Sequence, residues 1–251
     1  MLRYIQSADF NFSAMLSYSL TIFQQQFPLI MLLVVLTQAA VNIPMAAVGE
    51  IQVTPENLDW FVSNWGWLTL LSVVAGLLFL LLQLTVIKVT MATAREETIE
   101  LGDAFRRGFT DFGPAILLSI LVMLIMALLA AVPLLLMLLL GGTALFALPL
   151  LLIPVVVAVY LGFSLQALAV KGLGVIDALG HSWELVKGRW WRVFGYALGL
   201  GIIIGVVRYV VQLLLQQIPF AGELLALFAA DAFSAFTIIA MTLFFLHLDY
   251  E

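Results

Sequence analysis

The run PAILLSILVMLIMALLAAVPLLLMLLLGGTALFALPLLLIPVVVAVYLGFSLQALAV, from Pro114 to Val170, carries no Asp, Glu, Lys or Arg. A membrane-spanning helix needs about 20 mostly apolar residues. This run is too long for one span. Gly141-Gly142 divides it, because an adjacent glycine pair is a strong local breaker. The reading is two spans, Pro114 to Leu140 and Thr143 to Val170, joined by a tight turn. Pro133, Pro149 and Pro154 are expected to kink them, since proline removes a backbone donor and clashes with the preceding turn.

Working outward, four further runs have the same character: Phe27 to Val48, Trp65 to Ile87, Trp191 to Leu215, and Leu224 to Leu246. The composition agrees, at 64% hydrophobic and 10% charged. A soluble globular chain is about half apolar and about a quarter charged. The fold class expected is therefore all-α: a polytopic membrane protein of six transmembrane helices, in a single membrane domain covering residues 1–251. Nothing in the N-terminal segment Met1 to Gln26 reads as a cleavable signal peptide. The chain has no cysteine, which excludes disulfides, thiolate catalysis and cysteine-ligated metals.

Orientation follows from the basic residues. Arg3, Lys88, Arg95, Arg106, Arg107, Lys171, Lys187, Arg189 and Arg192 fall on one side of the six-span arrangement. Glu50, Glu56, Asp59, the Gly-Gly turn and the Gln216 to Glu223 segment fall on the other. Lys and Arg concentrate on the cytoplasmic side. Both termini are thus expected in the cytoplasm, with the chain in the inner (plasma) membrane of a bacterial-type envelope.

Three segments on the basic side have helical amphipathic spacing. Phe12, Leu16, Leu20, Phe23 and Phe27 oppose Ser13, Ser17, Thr21 and Gln24. Leu101, Phe105, Phe109 and Phe112 oppose Glu100, Asp103, Arg107 and Asp111. Ile176, Leu179, Trp183, Val186 and Trp190 oppose Asp177, His181, Glu184 and Gly188. Each is expected to lie along the inner interface with its apolar stripe in lipid. The pattern suggests three copies of an interfacial helix plus a transmembrane hairpin, over residues 7–87, 98–170 and 174–248. Asp103-Ala104-Phe105 and Asp177-Ala178-Leu179 form a short local match between the last two.

The stretch from Ala169 to Gly195 contains Gly174, Ala178, Leu179, Ser182, Leu185, Lys187, Arg189, Trp190 and Trp191. It resembles the segment before the fifth helix of the YciC-like family of bacterial inner-membrane proteins. It is also similar to the membrane domain attached to some glycerophosphodiester phosphodiesterases. The resemblance covers the whole chain in architecture but only this stretch in motif. It implies a general role in the cell envelope and supplies no catalytic residue.

Candidate sites are few. Arg208 and Asp231 lie inside the fifth and sixth spans at matched depth. Charges inside a span are costly, usually face the bundle interior and are paired. They read as an intramembrane ion pair: either a structural lock on the last hairpin or a site for an ion, proton or lipid headgroup. Trp183, Lys187, Arg189, Trp190, Trp191 and Arg192 form a basic-aromatic cluster. This is either an ordinary interface belt or a contact for anionic lipid headgroups. Gly195 with Gly199, and Gly201 with Gly205, have the small-xxx-small spacing that lets helices pack closely. That packing is expected to be intramolecular more often than to form a homo-oligomer face.

Enzyme chemistry finds no motif: no phosphate loop, no nucleophile elbow and no multi-histidine set. No cofactor, metal or nucleic-acid partner is expected. Membrane lipids are the expected partners, with a membrane-protein partner or homo-oligomer alongside. The sequence thus points to a non-enzymatic envelope protein that organises lipids or partner proteins. The alternative is a small-solute or ion transporter or channel using Arg208 and Asp231.

Overall fold

In the computed structural model the described residues are 5, 10–48, 58–97, 99–140, 149–150, 152–219 and 221–250. Side chains at 39–48, 58, 60, 61, 101, 137, 140 and 223 fall outside the description. Among the described residues every regular element is a helix. They are α1 (Phe12–Gln25), α2 (Phe27–Val48), α3 (Leu58–Ala94), α4 (Leu101–Thr110), α5 (Phe112–Leu140), α6 (Leu152–Leu161), α7 (Ser164–Lys171), α8 (Val175–Val186), α9 (Trp190–Leu215) and α10 (Gly222–Tyr250). The chain is a multi-pass membrane protein. Val62–Ala94, Phe112–Leu136, Leu152–Lys171, Trp190–Leu215 and Leu224–Tyr250 are each long and apolar enough to cross a membrane. Counting the bent pair α1 and α2 makes up to six spans. The Gly141-Gly142 turn, Thr143, Arg3, Glu50 and Glu56 lie outside the described residues.

Two breaks have local causes. α1 and the first part of α2 meet at 76°. Pro28, in the first turn of α2, cannot donate to Gln24 and its ring crowds that carbonyl, so the helix cannot run straight through Gln26. Asn11 starts α1 by accepting from the Ala14 amide at 3.0 Å. The second break divides the fourth span at Gly162-Phe163, between α6 and α7. It lies downstream of the expected proline kink. Pro154 sits in the first turn of α6, where its missing donor costs nothing. Ser182 of α8 repairs the break. Its hydroxyl donates to the Tyr160 carbonyl at 2.7 Å and accepts from the Phe163 amide at 3.1 Å. One tertiary side chain thus serves both backbone groups that the break frees.

The packed core sits at one end, where the basic residues are. α3 has 37 residues, about 55 Å of helix, well beyond a bilayer's hydrocarbon core. Its last three to four turns bury Leu82, Leu84, Val86, Ile87, Val89 and Ala92. α7 buries Ala167, Leu168 and Ala169; α10 buries Ile239, Leu243, Phe244 and Phe245. Phe163 fills the space between them, 5.9 Å from the Phe244 ring and 6.0 Å from that of Phe245. Away from this end the helices are largely uncovered. Leu138 is 79% exposed and Tyr209 is 63% exposed, as lipid-facing side chains would be.

The three amphipathic helices are present but differ from the expected two-faced design. Each buries an i, i+4 line of mostly small residues against the bundle: Met15 and Ser19, Ala104 and Gly108, Ala178 and Ser182. Of the bulky residues expected in a single apolar stripe, Val186 is buried, Phe12, Leu16, Phe23, Phe105 and Leu179 pack partly against the core, and others stay outside. Leu20 is 49%, Phe109 64%, Ile176 69% and Trp183 40% exposed. The polar faces at Ser13, Ser17, Thr21, Asp103, Asp177 and Glu184 are exposed as expected. α1 also does more than cover the bundle end. It runs along α10, from Phe10 against the His247 ring to Phe23 against the Phe236 ring.

Candidate functional site

The last hairpin, α9 and α10, carries both intramembrane charges and faces the two best-formed grooves. Asp231 is half-buried, and its carboxylate accepts a hydrogen bond from the Gln38 amide of α2. It makes no salt bridge with Arg208. The expected ion pair is thus not formed as a direct contact, although Arg208 still acts on the Asp231 carboxylate electrostatically. Asp231 bonds Gln38 of α2, while Arg208 lines a groove between α9 and α10. Gln38 was noted in the sequence only as one of several polar residues in the spans. Its separation of 193 positions from Asp231 left no local signal of the contact.

Arg208 is exposed and, among the described residues, makes no ion pair or hydrogen bond. With Gln212 and Gln216 it lines a groove of about 350 Å3. The spacing of four residues puts all three on one face of α9. The facing wall on α10 is built of Ala226, Leu227, Ala229 and Ala230, three of them alanines. These small side chains leave the space that a larger residue would fill.

The second groove lies on the other flank of the same hairpin and measures about 380 Å3. Its walls are apolar throughout: Leu16, Leu20, Phe23 and Phe27 from α1 and the start of α2, Ile203, Ile204, Val207 and Val211 from α9, and Ala229, Ala232, Phe233 and Phe236 from α10. The apolar stripe read from the sequence on α1 is thus a groove wall. The volume falls in the about 300–1,000 Å3 range of small-molecule sites.

The basic-aromatic cluster divides into two groups. Arg189 donates to the Leu248 carbonyl at 2.9 Å, satisfying one of the orphan acceptors at the end of α10 and complementing its dipole. Arg192 donates to Nε2 of His247 at 2.8 Å, and Nδ1 of His247 donates to the Ile5 carbonyl at 2.8 Å. Arginine can only donate, so this network fixes the His247 tautomer. Trp190 stacks on Phe194 and donates to the Val156 carbonyl at 3.3 Å. These three hold the structure together. Lys187 reaches Glu184 at 3.5 Å at the surface, and Trp183 stacks on Tyr160 at 4.1 Å. Trp191 projects outward, 78% exposed.

The glycine expectation is met at one position. Gly199 makes room for the Phe12 ring; a Cβ there would stand 3.2 Å from it. Gly195, Gly201 and Gly205 have nothing within 4 Å of a built Cβ, so they do not mediate the expected packing inside the chain. The close helix approach occurs instead at Gly108, unremarked in the sequence, where a Cβ would meet Thr85 at 2.5 Å.

Two further polar clusters escaped the sequence reading. Asp249 binds Lys171 and His181, each at 2.8 Å. Lys88 contacts Asp111 at 2.6 Å and donates to the Ala169 carbonyl at 2.7 Å. Both join elements far apart in sequence and tie the basic end together. Among the described residues no group of His, Asp and Glu is arranged to hold a metal.

Residues 13–247 match the family model described as Domain of unknown function (DUF7847). The chain belongs to this family. The DUF7847 match spans nearly the whole chain, so the grooves and all ten helices except the last turn of α10 and the first residue of α1 fall within it. It carries no link to the YciC-like proteins or to glycerophosphodiester phosphodiesterases. No curated protein and no solved structure matches the chain.

Proposed function

We propose that this DUF7847 chain is a non-enzymatic inner-membrane protein of the cell envelope that organises lipid by seating an acyl chain against its last hairpin. The observation that carries the reading is the groove between α1, α9 and α10, with walls apolar throughout. The hairpin belongs to two spans, so what surrounds the groove is hydrocarbon. A lipid chain is the molecule of matching chemistry at the highest local concentration. The basic residues gathered at the packed end support a cytoplasmic placement of that end and of both termini. Against the transport alternative, Asp231 hydrogen-bonds Gln38 rather than forming a salt bridge with Arg208.

The test is photo-crosslinking in nanodiscs with a phospholipid carrying a diazirine in its acyl chain. Labelling per residue should concentrate on Phe23, Ile204 and Phe233, several-fold above lipid-facing positions such as Met123 and Leu138. Ala232→Trp should fill the groove and abolish the excess. Labelling spread evenly over all lipid-facing helices would overturn the reading.

A further inference from the structure

We propose that the groove of Arg208, Gln212 and Gln216 is a headgroup site for an anionic phospholipid, held through its phosphate in the leaflet opposite the basic end. The proposal rests on the lipid-organising reading and adds the ligand's polar class and its leaflet.

The argument starts from the cost of the charge. Among the described residues Arg208 is the one basic residue set apart from the basic end. It lies seven residues before the end of α9 at Leu215, about 10 Å along the helix axis. A charge at that depth requires a counter-charge or a route to the interface. Asp231 acts on it electrostatically, but among the described residues no carboxylate forms a salt bridge with Arg208, and the Asp231 carboxylate is hydrogen-bonded by Gln38 instead. The described residues do provide a route. Gln212 and Gln216 stand one and two turns above Arg208 on the same face, stepping toward the hairpin turn. Their amides can donate to an oxyanion that the guanidinium grips from below.

Guanidinium chemistry favours phosphate, since its planar fork donates two parallel hydrogen bonds to two oxygens. The opposite wall is Ala226, Leu227, Ala229 and Ala230; the groove measures about 350 Å3 and that wall offers no competing side-chain acceptor. α10 begins at Gly222, so the positive end of its dipole is at the same mouth. The guanidinium favours an anion, the glutamine amides can donate to it, and the neighbouring surface is apolar. An anionic lipid fits this arrangement, with its phosphate in the groove and its chains outside.

The experiment measures binding of a fluorescent phosphatidylglycerol, a phosphatidylcholine of the same chains, and inorganic phosphate alone to the full chain in detergent. The wild type should prefer phosphatidylglycerol over phosphatidylcholine at least fivefold. Arg208→Gln should erase the preference, Arg208→Lys should keep part of it, and Gln212→Leu should weaken it. The melting temperature should hold in all three, because the side chains are exposed. Diazirine labelling of the apolar groove should persist in Arg208→Gln, so this site and the acyl-chain reading fail separately. An unchanged preference in Arg208→Gln would overturn the proposal. Inorganic phosphate binding as tightly as the lipid would overturn it too, making the groove a free-anion site.

Discussion

At the residue scale, Asp231 shows how a correct depth can accompany a wrong partner. Hydropathy and counting place Asp231 and Arg208 at one level of the bilayer, but they do not give the rotation of each helix. Gln38 is the neighbour that rotation selects. A double-mutant cycle separates the two pairings. Gln38→Leu and Asp231→Asn should couple by about 0.6–1.7 kcal/mol, the range of interhelical hydrogen bonds in membranes. Arg208→Gln and Asp231→Asn, which form no salt bridge, should couple more weakly than that pair. Reversible unfolding in mixed micelles measures both. Strong coupling of Arg208 with Asp231 would restore the ion pair.

At the element scale, the three amphipathic helices show what periodicity reads and what it misses. Their spacing marks an apolar side without saying whether that side meets protein or lipid, because both solvents select for Leu, Phe and Trp. The distinction lies in size. Small residues at the closest approaches, such as Ser19, Ala104, Gly108, Ala178 and Ser182, let the helices meet the bundle, and part of the bulky set, such as Leu20, Phe109 and Ile176, is left for hydrocarbon. Gly108 is the extreme case. A Cβ there would stand 2.5 Å from the Thr85 hydroxyl and 3.2 Å from its backbone nitrogen, and that hydroxyl is already committed to the Leu81 carbonyl at 2.7 Å. Gly108→Ala should therefore destabilise the protein by about 1–3 kcal/mol through overpacking. Gly102→Ala, on the same helix with nothing within 4 Å of a Cβ, should be neutral or stabilising by up to about 1 kcal/mol. Thermal unfolding in detergent reads the difference in sign. Equal effects would mean that α4 does not pack on α3 at Gly108.

At the scale of the whole molecule, packing is concentrated at the basic end and the hairpins spread away from it. That asymmetry fits a protein whose far half is completed by lipid. On the proposed orientation, single cysteines introduced near Glu56 and Phe220 should react with an impermeant maleimide added to intact spheroplasts. Cysteines near Glu97 and Lys187 should react only after the membrane is opened. The reverse pattern would invert the topology and place the Arg208 groove in the inner leaflet.

The run from Pro114 to Val170, the basic residues and the amphipathic spacing were enough to establish an all-α membrane chain and which of its ends carries the charge. Those properties depend on composition and on period along one helix, which a sequence states directly. The break at Gly162 was not among the expected kinks at Pro133, Pro149 and Pro154, and no bend was expected at Gln26, although Pro28 is a local cause of it. The stabilisation of the Gly162 break was not legible either: Ser182 is 19 residues from Phe163, and nothing local says that it reaches back. The pairing of Asp231 with Gln38, the Asp249 cluster and both grooves likewise required the fold. Each depends on the rotation and separation of helices that meet only in three dimensions, and side chains distant in sequence decide those jointly.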